Sequence, residues 1–225
     1  TQVEDPSRYG VVPTDAEGRV VGFVEKPDAA SAPSRWVNAG TYVLEPSILD
    51  RIPAGRRVSI EREVFPAMAA EGRLHAVQSD AYWIDTGTPE AYIRAQLDLV
   101  DGTRGAGTRG VGGRAADLRG DVTGRGVDQG HLHAIHPSAM VDPSADVRRS
   151  VVMAGATIGP GARLLDSIIM DGGTVGAGAT VIDSVVGPGA HVGEGASLTD
   201  LTVIGERQSV GAGVELVGAR IPEDS

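Results

Sequence analysis

Cysteine is absent from the 225 residues, so the chain has no disulfide framework, thiolate metal site or cysteine nucleophile. That absence fits a reducing compartment, and the expected location is the cytoplasm. No apolar run approaches the ~20 residues needed to cross a bilayer, and no signal peptide opens the sequence, so a membrane partner is not expected. Lysine and arginine form no cluster and the formal net charge is -10, which argues against nucleic acid as a partner. Phosphorylated sugars and nucleotides stay open, because their sites need only a few local cations or a metal. An initiator methionine is also lacking: the chain opens Thr1-Gln2-Val3-Glu4-Asp5, and the expectation is a fragment. Aromatic residues are scarce, at 4%.

Glycine is present in excess, with 32 residues against a usual ~7%. The excess falls mainly after Val100, which divides the chain into residues 1–100, a Gly-rich linker at 101–134 and a repeat at 135–225. In the first part, strands are predicted at Tyr9–Val12 and Arg19–Val24 around the turn Thr14–Gly18, then at Val37–Leu44, Leu74–Val77 and Ala81–Ile84. Short helices are expected at Pro46–Ile52 and after Ser59. Thr88-Pro89-Glu90 starts a further helix, with a hydroxyl cap, proline at the first helical position and an acid in the first turn. That helix should run to Val100 with Ala91, Tyr92, Ala95, Leu99 and Val100 on its apolar side. Asp85 stands between the last strand and this helix, where open α/β sheets place ligands; a turn aspartate bonding its own backbone is the plainer alternative.

The linker holds Arg104, Arg109, Arg114, Arg119 and Arg125 against Asp101, Asp117, Asp121 and Asp128, so it is not a basic tail and should be flexible. His131, His133 and His136 are close in sequence, yet no thiol or carboxylate pattern accompanies them as a metal site would require. From Ile135 aliphatic residues recur in steps of six, six and five, a 17-residue period that Gly159, Gly176 and Gly193 keep, as do Ser150, Ser167 and Ser184. The register slips by one after Val203. One inward aliphatic per six residues, followed by small residues, is the signature of a parallel β-helix. About five coils at ~4.8 Å give a prism of about 24 Å. Asp166, Asp183 and Asp200 form one column. Corner aspartates bonding their own turns are the expectation there, with a cation site the alternative. His191 has no inserted loop beside it that would suit an acyltransferase base.

Tyr9-Gly10-Val11-Val12, Phe23-Val24-Glu25-Lys26-Pro27, Asn38-Ala39-Gly40-Thr41-Tyr42-Val43 and Trp83-Ile84-Asp85-Thr86-Gly87-Thr88-Pro89 follow the order and spacing of motifs in the sugar-1-phosphate nucleotidyltransferases. Ser59-Ile60-Glu61-Arg62-Glu63-Val64-Phe65-Pro66 most resembles the mannose-1-phosphate guanylyltransferase branch. The resemblance covers essentially the whole chain. It implies an α/β fold, the C-terminal part of a Rossmann-like nucleotidyltransferase domain, followed by a left-handed β-helix of hexapeptide repeats. It also implies nucleotidyl transfer from a nucleoside triphosphate, GTP, to mannose 1-phosphate with release of pyrophosphate. Lys26 would hold the sugar phosphate, Glu25 would accept from sugar hydroxyls, and Gly10, Asn38 and Gly40 would line the sugar. Lys26 and Asp85 would carry the catalytic roles, with Asp85 as one ligand of Mg²⁺.

The family's Gly-rich loop, its Pro-Lys segment and a second metal-binding aspartate do not occur in this sequence. The expectation is therefore a stretch that does not turn over by itself. Three alternatives remain: a non-catalytic regulatory relative that binds sugar nucleotide, a glucose-1-phosphate uridylyl- or thymidylyltransferase, and a hexapeptide acyltransferase. Self-association through the β-helix, giving a homo-oligomer, is a further expectation.

Overall fold

Strand propensity becomes a ladder only where a second strand runs alongside, and the start of this chain has few such pairs. The computed structural model describes residues 1–102, 125–128 and 131–222. Two compact units divide it, Thr1–Trp83 and Ile84–Ser225.

In the first unit β1 (Gly10–Val11) pairs antiparallel with β2 (Val24–Glu25), in the register Gly10 to Glu25 and Val11 to Val24. The turn between them is closed by Asp15, whose carboxylate accepts from the Glu17 and Arg19 N–H groups. Beyond this pair only single bridges form, Val11 to Val37, Thr14 to Val20, Arg19 to His75 and Gln2 to Trp36. The strands predicted over Val37–Leu44, Leu74–Val77 and Ala81–Ile84 are thus not regular strands. After Val37 the chain turns at Gly40, whose φ of 73° is left-handed and whose N–H goes to Asn38 Oδ1 at 3.0 Å. Pro46–Arg51 is a 3₁₀ helix. Ile60–Val64 forms a π-helical turn that leads into α1 (Phe65–Ala70). Phe65, Val64 and Ile48 make the small core of this unit, with Phe23, Leu44 and Met68 packed around them.

The second unit opens with α2 (Pro89–Val100), capped as expected by Thr88 Oγ1, which accepts from the Ala91 N–H at 3.3 Å. Its buried side differs from the expected one. Ile93, Ala95, Leu97 and Val100 are inside, whereas Leu99 is 39% exposed. Ile93 and Leu97 pack on Ile168 and Val185, so α2 is fastened to one face of the repeat. Each such side chain contributes about 1.5–3 kcal/mol by leaving water.

The repeat is a parallel β-solenoid of about five coils, consistent with the expected left-handed β-helix. One face stacks β4 (His131–Ile135), Val151–Val152, Ile168–Ile169, Val185–Val186, Val203–Ile204 and Arg220–Ile221. The second runs from Met140–Val141 to Ser209–Val210, and the third from Asp146–Arg148 to Glu215–Val217. A further strand, β3 (Arg125–Asp128), pairs antiparallel with β4. Strands thus begin inside the stretch expected to be linker; the rest of that stretch, 103–124 with 129 and 130, lies outside the described residues, as do most of its arginines.

The columns keep the 17-residue period until the corner at Asp200 and Leu201, both left-handed at φ 55° and 61°. This is where the extra residue sits. Ile204 pairs with Val186 and takes the inward position, while Val203 pairs with Val185, so the slip falls before Val203 and not after it. The period-keeping glycines are fixed by close packing between coils and not by corner backbone angles. A Cβ on Gly159, Gly176 or Gly193 would lie 2.8, 2.7 or 2.5 Å from backbone nitrogen of the next coil, so close approach excludes a side chain there. Left-handed corners are supplied by other glycines and, in one column, by Arg149, Asp166, Asp183 and Asp200. Those aspartates show no bond to their own turns among the described residues; aspartate tolerates the left-handed region better than most residues, which accounts for the column.

Candidate functional site

Pairing of β1 with β2 sets Gly10 beside Glu25. A side chain on Gly10 would meet Phe23 Cε1 at 2.8 Å and Glu25 Oε2 at 3.0 Å, so only glycine lets that strand lie under the carboxylate. Glu25 ends the ladder. Lys26 follows with φ 48°, while its N–H donates to Tyr9 O at 3.0 Å. A non-glycine residue in this region is uncommon, and one that precedes proline is normally extended. Strained backbone of this kind marks positions held for a purpose. The Lys26 side chain is exposed.

Asn38 stands in a dense polar knot. Its Nδ2 donates to the Tyr42 hydroxyl and, at 2.6 Å, to Glu61 Oε1. The Tyr42 hydroxyl donates to the same Glu61 oxygen at 2.9 Å. Burial, then Glu61 and the Glu25 charge, push the Tyr42 hydroxyl up from its ordinary value of 10.0, with the Asn38 amide opposing them. Beneath the knot Tyr42 meets the Phe65 ring at 4.9 Å, and Phe65 meets Phe23 at 5.8 Å. Trp83 Nε1–H ties down Ala39 O at 3.2 Å and the ring packs edge-on to Tyr9.

The structure therefore gathers Gly10, Glu25, Lys26, Asn38 and Gly40 in the first unit. Asp85 belongs to the second unit. It is exposed, and its Oδ1 accepts the Gly87 N–H at 3.1 Å, the turn bond weighed above as the plainer alternative. Tyr42 and Glu61 were not among the expected site residues. Both lie inside motifs that carry the family resemblance, but taken alone Tyr42 reads as a strand residue and Glu61 as one more acid at a helix start. The π-helical turn that carries it is the structural signal, for such turns recur at functional sites.

A cleft of about 620 Å³ borders Asn38 and Tyr42; its other walls mix apolar Val12, Phe23 and Leu44 with polar Thr14, His75 and Gln78, and it does not reach Glu25, Lys26 or Glu61. Val43 and Val77 on its rim are almost fully exposed, and the cleft misses the expected charged residues, so the polar knot is the better candidate for chemistry. Among the described residues no group of three or more histidine, aspartate or glutamate side chains is arranged to hold a metal. His136 Nδ1 is engaged by Ser138 Oγ at 2.8 Å, and His133 is buried in β4. No helix of the described residues is long and apolar enough to cross a membrane.

Residues 1–102 match the family model for nucleotidyl transferase, and residues 131–223 match the GMPPB C-terminal domain. A mannose-1-phosphate guanylyltransferase of Mycobacterium tuberculosis is 43% identical over 144 residues, 57% of this chain and 40% of that protein. A probable mannose-1-phosphate guanylyltransferase 3 of Arabidopsis thaliana is 46% identical over 105 residues, 46% of this chain and 31% of that protein. The chain thus spans well under half the length of the curated relatives it matches. Among solved structures, the acetyltransferase domain of PglB from Neisseria gonorrhoeae is 29% identical over 39% of this chain and 53% of its own, at a TM-score of 0.28, a likeness too slight to argue from.

Proposed function

Because this chain belongs to the nucleotidyl transferase family, with a GMPPB C-terminal domain behind the transferase segment, we propose that Gly10, Glu25, Lys26, Asn38 and Gly40 form the sugar-phosphate side of a nucleotidyl transfer site. The observation that carries the reading is Lys26, held left-handed just before Pro27 and directly after the Gly10–Glu25 pair. A compact ammonium suits a phosphate point charge, and the neighbouring carboxylate suits hydroxyls. In the reaction a sugar 1-phosphate oxygen attacks the α-phosphorus of a nucleoside triphosphate and the bond to pyrophosphate breaks. Lys26 orients the attacking phosphate and offsets its charge, while Glu25 fixes the sugar ring.

Mg²⁺ suits this chemistry as an oxygen-loving cation that neutralises phosphate charge. Asp85 would be one of its ligands, with phosphates and water supplying the others. The Asp85 oxygen not used by Gly87 fits that role, since it takes no bond among the described residues. Mannose 1-phosphate and GTP are the substrates we propose, on the names of the relatives. Glucose 1-phosphate with UTP or dTTP is the alternative pair. No Gly-rich phosphate loop lies within residues 1–225, so the test is binding and not turnover. Calorimetric titration of mannose 1-phosphate should show at least a tenfold loss on Lys26→Ala and tighter binding than glucose 1-phosphate. Unchanged affinity on Lys26→Ala overturns the assignment.

The third face of the solenoid presents Leu165 and Val217 in one outward column, 37% and 70% exposed. There we place the homo-oligomeric contact; a monomer mass by light scattering at micromolar concentration overturns it.

A further inference from the structure

Glu61 is not needed by the helical turn it stands on. Ser59 Oγ caps that turn by accepting the Arg62 N–H, and Glu63 accepts the Ser59 N–H at 3.3 Å while pairing with Arg56 at 2.8 Å. Those contacts are what a helix start asks for. The Glu61 side chain instead spans 23 residues of sequence to reach Asn38 and 19 to reach Tyr42.

A count of donors and acceptors shows what remains for a ligand. Asn38 spends both amide hydrogens, one on Tyr42 and one on Glu61, and one lone pair of Oδ1 on the Gly40 N–H. Tyr42 spends its one hydrogen on Glu61. Glu61 Oε1 takes both donors, whereas Oε2 has no partner among the described residues. No cation pairs with Glu61 either among them, although the residue is half-buried. A carboxylate fixed by two donors on one oxygen, with the other left open, is a preorganised acceptor.

We propose that Glu61 reads the sugar: Oε2 accepts a hydrogen bond from one hexose hydroxyl, while Oε1 holds Asn38 and Tyr42 in place beside it. This rests on the sugar-phosphate reading of the site above. Asn38, which the family resemblance puts against the sugar, becomes the residue that positions Glu61. The Asn38 N–H donates to Gly10 O at 2.8 Å, Gly10 pairs with Glu25 and the Asn38 amide holds Glu61, so the ring-binding side carries two carboxylates and the phosphate side one lysine. Such a division favours a neutral hexose bearing a single phosphate. Sugars carrying a second anionic group, such as a C6 carboxylate, meet repulsion instead.

The test is a cycle between Glu61→Gln and the singly deoxygenated mannose 1-phosphates (2-, 3-, 4- and 6-deoxy), read by calorimetry on the full chain. Glutamine keeps the shape and an acceptor for Asn38 but loses the charge. One deoxy analogue should bind the unsubstituted chain about tenfold or more weakly, as expected for a hydrogen bond to a charged acceptor, and lose little further on Glu61→Gln. Inorganic phosphate, which reports on Lys26, should bind both forms alike. A purely structural role gives equal losses for every analogue and overturns the proposal. Tyr42→Phe removes one of the two donors to Oε1 and should weaken the same hydroxyl's contribution; it serves if Glu61→Gln does not fold. Loss of binding on Lys26→Ala together with additive behaviour in the cycle removes the Glu61 role alone. Unchanged binding on Lys26→Ala removes the sugar-phosphate reading itself.

Discussion

The two units solve the burial problem in opposite ways. In the solenoid Val181, Val186, Val192, Leu198 and Ile204 are completely inaccessible, each stacked on the residue one coil away. In Thr1–Trp83 the core is small, and Val43 and Val77 stand 100% and 93% exposed. The difference lies in how far the chain must travel to find a partner. Coil neighbours are 17 residues apart, and Ser167 illustrates the economy: its hydroxyl donates to Leu165 O at 2.8 Å and accepts the Ser184 N–H at 3.2 Å, one link of a buried ladder. In the first unit the ties are long. Thr14 meets Gln78 across 64 residues and Ala39 meets Trp83 across 44, with loop-closure entropy charged to each.

That contrast is most directly broken at a glycine. On Gly193 a methyl group would lie 2.5 Å from Ala212 N and 2.6 Å from Gly211 C, both backbone atoms of a neighbouring coil that cannot rotate away. Gly193→Ala should therefore cost the solenoid about 3–5 kcal/mol, the range of severe core lesions. Phe65→Ala should cost the first unit a similar about 3–5 kcal/mol by leaving a cavity. Calorimetric scans should show two transitions, with Gly193→Ala lowering only the later and Phe65→Ala only the earlier. If either substitution moves both transitions together, the two units unfold as one and the comparison fails.

What was legible in the sequence follows the same division. The inward columns and the cap and length of α2 could be read directly, because period, Thr88-Pro89-Glu90 and apolar spacing are local signals. The face of α2 could not. Leu99 is as apolar as Leu97, and only the surface presented by Ile168 and Val185 decides which of the two goes inside, with Tyr92 packing at the edge of the same cluster. The strand predicted at Val37–Leu44 failed because propensity does not supply a ladder partner, and Gly40 turns the chain away. Family resemblance marked Glu25, Lys26 and Asn38 as site residues; Glu61 and Tyr42 lay inside the same motifs but were given no role, since the bonds that recruit them join distant segments. The transferase family model runs to residue 102, through α2, although α2 packs with the solenoid; sequence kinship and compactness draw the boundary in different places.

The smallest expected effect sharpens the comparison inside the solenoid, where stacking brings like charges together as surely as it brings aliphatics. Asp183 sits between Asp166 and Asp200 in one corner column; Arg149 pairs with Asp166 at 2.8 Å, and α2 adds Glu90. Burial first, then Asp166, Asp200 and Glu90, hold the Asp183 carboxyl above its ordinary 3.8. A raised carboxyl pKa means that the folded chain holds the proton more tightly than the unfolded one. Asp183 is therefore harmless below about pH 3.8 and weakens the fold increasingly as pH rises through its elevated folded value. Asp183→Asn keeps a side chain that tolerates φ 45° and removes the charge. The variant should match the parent in acid and exceed it at pH 7 by less than about 1 kcal/mol, because the group is half-exposed and solvent screens it. Salt should shrink that gap. Denaturant melts of both chains across pH 3 to 7 measure the difference directly. A variant less stable than the parent at pH 7 would show that Asp183 earns its place by a contact of its own, and that the column is tolerated for more than its backbone angle.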